Sequence, residues 1–248
     1  MTGRLSLIGI GPGNLDNTTS RALSKLKESD IIIGYSKYIE MIYEVVKNKT
    51  ILGSSVVDEI ARADMAIKYA MEGKKVSVIS SGDSGIYGMA GLVFEMISHH
   101  NYDIEIEIIP GITSLASSSS LIGTPLMNDF CSISLSDKLT PWETIEKRIK
   151  SAAEGDFVIV FYNPKSQKRT EGIKKARDII MEYRNKTTPV GIIKNAYREN
   201  QESFVTNLEK FLDFDIDMFT TIIVGNSSSY QYKNYMITPR NYDLKYNL

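Results

Sequence analysis

Leu5-Ser6-Leu7-Ile8-Gly9-Ile10-Gly11-Pro12-Gly13-Asn14 opens with a strand of apolar residues that runs straight into a glycine-rich turn. A helical stretch over about 18–27 follows, and the alternation then repeats: strand 31–33 with helix 38–46, strand 76–80 with helix 89–99, and strand 104–109 with helix 113–122. This order predicts βαβ units and a largely parallel sheet, because parallel neighbours need a crossover between them. A further helix over about 58–71 carries Ile60, Ala63, Ala66, Ile67 and Ala70 on one stripe, the spacing of a helix laid against a sheet.

After Cys131-Ser132-Ile133-Ser134-Leu135 the pattern breaks at Ser136-Asp137-Lys138-Leu139-Thr140-Pro141-Trp142-Glu143, which opens a new helix. Thr140 fits its N-cap, Pro141 its first helical position, and Glu143 completes a capping box. Strands recur at 157–161, 190–193 and 220–224, with a helix over about 171–183 and a shorter helical piece near 208–212. The expectation is an α/β chain of two domains, 1–135 and 136–248, with mostly parallel or mixed sheets. Neither half contains a low-complexity linker, so the two are expected to share a cleft.

The chain has 248 residues, 42 % of them hydrophobic, and a formal net charge of −1. No global field draws it to nucleic acid or to an anionic membrane, so any acidic ligand must meet a local basic cluster. The single cysteine, Cys131, excludes an intramolecular disulfide framework and, with only two histidines, leaves no metal cage to propose. Met1-Thr2-Gly3-Arg4 leads directly into a strand and no apolar run approaches a membrane span, so a reducing, cytoplasmic location is expected.

Three loops carry the functional signal. Gly9-Ile10-Gly11-Pro12-Gly13-Asn14 superficially suggests a dinucleotide-binding turn, but Pro12 removes a backbone donor and Asn14 stands where the third glycine belongs. The second strand ends in Gly34-Tyr35 instead of a ribose-binding carboxylate, which argues against nicotinamide binding. Ser81-Gly82-Asp83-Ser84-Gly85-Ile86-Tyr87-Gly88 puts three glycines and a carboxylate at the end of a parallel strand, where open α/β sheets bind ligands. Asp83 reads equally as a helix cap. Pro110-Gly111-Ile112-Thr113-Ser114 ends the next strand, with Thr113 or Ser114 as a cap whose hydroxyl can also face a ligand.

As a set, these loops resemble the tetrapyrrole methylase family, two-domain α/β proteins that bind S-adenosylmethionine between their domains. Within it, Ser134-Leu135-Ser136-Asp137, Gly155-Asp156-Phe157-Val158, Tyr162-Asn163-Pro164-Lys165-Ser166 with Arg169, and Gly34-Tyr35 with Tyr38 look like the branch that methylates C17 of precorrin-3B or cobalt-factor III in cobalamin biosynthesis. The resemblance implies S-adenosylmethionine contacts from Gly11, Pro12, Asp83, Ile86, Tyr87, Thr113, Ser114, Tyr162 and Ala196, and a homodimeric enzyme. This donor has no phosphate, which agrees with the incomplete dinucleotide fingerprint. The branch also contracts the macrocycle, and Asp137, Ser136 and Asn163 are the expected contributors to proton handling. Tyr35, Lys165 and Arg169 are the expected substrate contacts, with Lys165, Lys168 and Arg169 preceding or beginning a helix. Methylation at another macrocycle carbon and a non-catalytic tetrapyrrole-binding protein are the alternatives.

Overall fold

Strand β1 (Arg4–Gly9) lies inside a five-stranded sheet and is buried on both faces, which is why it is apolar almost throughout. The computed structural model describes residues 3–55 and 58–246, and the chain divides into two compact units, Met1–Ser114 and Leu115–Leu248. In the first unit, β1 is followed by α1 (Ser20–Glu28), β2 (Ile31–Tyr35), α2 (Ser36–Val46), β3 (Thr50–Ser54), α3 (Glu59–Met71), β4 (Lys75–Ser80), α4 (Ala90–His100) and β5 (Glu105–Ile109). The sheet order is β3-β2-β4-β1-β5, and every pairing is parallel.

From β1 to β3 the chain moves towards one edge, and from β3 to β5 it returns across the sheet. Right-handed crossovers therefore place the helices of the two legs on opposite faces. The packing follows this rule. Ala22, Leu26, Ile39 and Ile42 of α1 and α2 join Ile8, Ile32 and Ile79 on one face, while Ala63, Ala66, Val93 and Ile97 of α3 and α4 join Leu5, Leu7, Ile33 and Val78 on the other. Neighbouring residues of β1 point to opposite cores, as the two-residue period of a strand requires.

The second unit contains α5 (Ser114–Ile122), β6 (Gly123–Thr124), β7 (Phe130–Ser134), α6 (Trp142–Glu154), β8 (Val158–Tyr162), α7 (Gly172–Met181), β9 (Pro189–Lys194), β10 (Glu202–Asn207), β11 (Thr220–Val224), β12 (Tyr230–Tyr232) and β13 (Tyr235–Ile237). Its sheet, β10-β9-β11-β8-β7, is mixed: β7 and β8 are parallel and the other pairs antiparallel. Ile145, Ile149, Ile173 and Ile180 of α6 and α7 cover one face. Ile122 of α5 and Met236 of β13 pack with Val158, Val160, Ile193 and Ile223 on the other. α5 packs on this sheet and β7 pairs with β8, so the compact units divide at the first residue of α5, and the composition break after Leu135 lies inside the second unit.

The structure corrects the start of α6. Pro141 is its N-cap, at φ −55° and ψ 143°, and no side chain caps the helix. The Pro141 carbonyl starts the ladder by accepting from the Thr144 and Ile145 amides at 3.0 and 3.3 Å. Proline has no side-chain acceptor, so with Pro141 at the N-cap the capping box expected from Thr140 and Glu143 is not formed. The piece expected near 208–212 is a 3₁₀ turn, Phe211–Asp213. Among the described residues, no helix is long and apolar enough to cross a membrane.

Candidate functional site

Strands β1 and β4 are neighbours whose following connections leave in opposite directions, β1 towards β2 and β4 towards β5. Such a switch point opens a crevice at the carboxyl ends of the two strands, the usual ligand position in open α/β sheets. The loops rooted there are those singled out in the sequence, 10–14 and 81–88. Gly11 and Gly82 join them by a two-bond bridge, with Gly11 N donating to Gly82 O at 3.1 Å and Gly82 N to Gly11 O at 2.7 Å. Both glycines stand at positive φ, +80° and +67°, which side-chain-bearing residues rarely adopt.

The loop after β5 closes onto the same point. A Cβ on Gly111 would lie 2.2 Å from Gly82 O and 2.5 Å from Gly9 O, so only glycine permits this stacking. Asp83 then ties the loops: its Oδ1 accepts from Gly85 N at 2.8 Å and its Oδ2 from Gly111 N at 3.0 Å. Asp83 is therefore not the cap of α4, whose N-cap is Met89. An ionised carboxylate has about four lone-pair sites, so two bonds leave acceptor capacity for a ligand.

Beside this junction, Ile86 and Tyr87 are exposed, and Tyr87 holds φ 53°, an uncommon backbone for a bulky residue. The buried Ser84 anchors the loop from below by donating to Leu7 O at 3.1 Å. The Thr113 Cα and the Ser114 amide lie over Gly82, 3.5 and 3.6 Å from where its Cβ would stand. Tyr35 ends β2 and occupies the N-cap position of α2, its ring meeting Tyr38 edge-on at 5.1 Å. Tyr38 is partly buried against the core that α1 and α2 share with the sheet.

In the second unit, the motif residues gather at the ends of β7 and β8. The Tyr162 hydroxyl accepts from the Leu115 amide at 3.0 Å, holding the first turn of α5. Asn163 stands at φ 51° and donates from Nδ2 to Ser134 Oγ at 3.0 Å, which also accepts from the Ser136 amide at 3.3 Å. Arg169 donates from Nη1 to Leu135 O at 3.2 Å, and its Nε lies 3.9 Å from Asp137 Oδ1. The structure thus brings Ser136, Asp137, Asn163 and Arg169 together. Because α7 begins only at Gly172, Lys165, Lys168 and Arg169 all precede it.

Ala196 follows β9 and, like Leu115 and Tyr162, packs against the cluster of Ile122, Val158, Val160 and Ile193. Next to it is a feature that sequence reasoning missed: Lys194 pairs with both Asp215 and Asp217, the latter at 3.0 Å. Its hydrogen bonds to these carboxylates, first Asp215 and then Asp217, raise the Lys194 ammonium above its ordinary pKa. Ser134 was also missed, although it lies in a quoted string. Two concavities, one between β7 and α6 and one beside β10, are lined by none of the candidate donor, substrate or proton-handling residues, although Phe157 of the 155–158 motif borders the first. Glycine, carboxylate and hydroxyl groups converge instead at the strand-end loops.

Residues 4–212 match the family model of Tetrapyrrole (Corrin/Porphyrin) Methylases. The chain is similar to a cobalt-factor III methyltransferase of Priestia megaterium, 50 % identical over 252 residues that take in 100 % of this chain and 47 % of that protein. It therefore spans about half of that relative. A probable cobalt-factor III C(17)-methyltransferase of Salmonella typhimurium is 45 % identical over 241 residues, 97 % of this chain and 100 % of that one. Among solved structures, the methyltransferase CobJ superposes with a TM-score of 0.90 at 34 % identity, covering 96 % of this chain and 100 % of the other.

Proposed function

The chain belongs to the tetrapyrrole (corrin/porphyrin) methylases, and from that premise we propose that it transfers the methyl group of S-adenosylmethionine to C17 of cobalt-factor III in cobalamin biosynthesis. The observation that carries the reading is the junction of Gly11, Gly82, Asp83 and Gly111 at the switch point of the first sheet. Cobalt-factor III is preferred over precorrin-3B because the relatives at 50 % and 45 % identity carry that name.

The junction fits this donor. The amides of Gly11, Gly82 and Gly111 already donate to protein oxygens, so the crevice is no anion cradle, and S-adenosylmethionine brings no phosphate to it. Gly11, Pro12, Asp83, Ile86, Tyr87, Thr113, Ser114, Tyr162 and Ala196 are the proposed donor contacts. The Asp83 carboxylate keeps lone pairs for charge-assisted bonds, about twice as strong as neutral ones.

When bound, the donor would supply an electrophilic methyl group to an electron-rich macrocycle carbon, the electron pair of the broken S–CH3 bond staying on sulfur, which leaves as the neutral thioether. The protein then needs no nucleophile of its own. Its contribution is to orient two reactants, worth on the order of 7–11 kcal/mol when the geometry is good. For the contraction that accompanies methylation in the resembling branch, Ser136, Asp137 and Asn163 are proposed to handle protons. Tyr35, Lys165 and Arg169 are proposed to meet the macrocycle and its carboxylates. A homodimer is proposed on family grounds, and a cytoplasmic location on the sequence reading.

Incubation of the purified protein with methyl-labelled S-adenosylmethionine and with cobalt-bound or metal-free macrocycle tests this. Label is expected in the cobalt-bound product. Label in the metal-free product alone would transfer the assignment to precorrin-3B, and label in neither would overturn the enzymatic reading.

A further inference from the structure

Ser134 is the last residue of β7, in register with Tyr162 of β8. The ladder makes one more backbone bond, from Leu135 N to Tyr162 O at 2.9 Å. Beyond it the two strand exits diverge, and side chains take over. The Ser134 hydroxyl oxygen accepts one bond from each exit: Asn163 Nδ2 at 3.0 Å from the β8 side and the Ser136 amide at 3.3 Å from its own. Arg169 holds the same segment by donating to Leu135 O at 3.2 Å.

We propose that Ser134 is a positioning residue for the reaction, fixing the Asn163 carboxamide and the backbone that presents Ser136 and Asp137. The inference rests on the functional reading above. A hydroxyl oxygen has two acceptor lone pairs, and here both serve residues assigned to proton handling. Asn163 also stands at φ 51°, a left-handed conformation that asparagine tolerates better than most residues. With its backbone so placed, the carboxamide direction is set by what it hydrogen-bonds, and that partner is Ser134. No residue outside these two strand exits shares the hydroxyl in the described structure.

The test is steady-state kinetics of Ser134→Ala, Ser134→Thr and Ser134→Cys with the cobalt-bound macrocycle. Loss of both accepted hydrogen bonds and a loosened geometry should lower kcat of S134A by about tenfold. Its KM for S-adenosylmethionine should stay within about twofold, because uniform donor binding is untouched. S134T keeps the oxygen and should recover most of the loss. S134C, of similar size but a weak acceptor, should not, and it serves in place of S134A should that variant fail to fold. In an Asn163→Ala background, S134A should cost less than about twofold further, since the two act as a unit.

Wild-type turnover in both S134A and S134C would overturn the inference, as would losses of S134A and N163A that simply multiply. Absence of methyl transfer by the wild-type protein would instead overturn the functional reading, and this inference with it.

Discussion

The Asp83 carboxylate and the Gly111 amide lie 3.0 Å apart and join the loop after β4 to the loop after β5. With the second bond, to Gly85 N, Asp83 has a structural duty on which any donor contact is superimposed. Asp83→Ala should cost about 1–3 kcal/mol of stability by orphaning two amides. Asp83→Asn keeps one acceptor oxygen and should cost less. Both should weaken S-adenosylmethionine binding, by about tenfold or more for D83A, equivalent to roughly 1.4 kcal/mol. Calorimetry alongside denaturant unfolding separates the two effects, and unchanged donor affinity in D83A would remove Asp83 from the proposed contacts.

Gly111→Ala places a methyl group 2.2 Å from Gly82 O and 2.5 Å from Gly9 O. Both obstacles are backbone, so no rotamer change relieves them. The variant should lose about 1–3 kcal/mol, read as a lower denaturant midpoint with an unchanged slope. Gly91→Ala is the control, because nothing lies within 4 Å of its added Cβ.

Tyr162→Phe removes the oxygen that accepts from Leu115 N at 3.0 Å. An unsatisfied helix-start amide should cost about 1–3 kcal/mol. Hydrogen exchange at the Leu115 amide should accelerate in the variant, and equal protection in both proteins would contradict the assignment.

Lys194 and Asp215 give a pH signature. The hydrogen bond from Lys194 holds the Asp215 carboxyl below its ordinary pKa, so this contribution is present above about pH 3.9 and is lost as pH falls through the lowered folded value. The Lys194 pKa is raised, first by Asp215 and then by Asp217, so its contribution is full below about pH 10.4 and lost only as pH rises through the still higher folded value. The melting-temperature difference between wild type and Asp215→Asn should therefore be flat from about pH 5 to 9 and shrink in acid. A difference that vanished near neutrality would contradict the pairing.

The first sheet was legible because its central strands are buried on both faces and read as apolar runs. β3 was not: it is an edge strand, with Thr50 and Gly53 exposed, and is held by backbone pairing to β2 that leaves little hydrophobic signal. β10, with Glu202, Ser203 and Phe204 exposed, escaped for the same reason. At the site, the glycines were legible because only glycine tolerates those angles and approaches. The partner of Asp83 was not, since a carboxylate before a helix fits a cap and a loop tie equally well. Ser134 carries no composition signal, and its role arises only where β7 and β8 separate. Lys194 meets carboxylates 21 and 23 positions away, beyond any local spacing rule.

The most direct test of the account is the position of the transferred methyl group. Cobalt-factor III incubated with the protein and S-adenosylmethionine carrying a ¹³C-methyl group should give one new methyl resonance, correlated by NMR to C17 of the macrocycle. A methyl group at any other carbon, or on no carbon at all, would contradict the account.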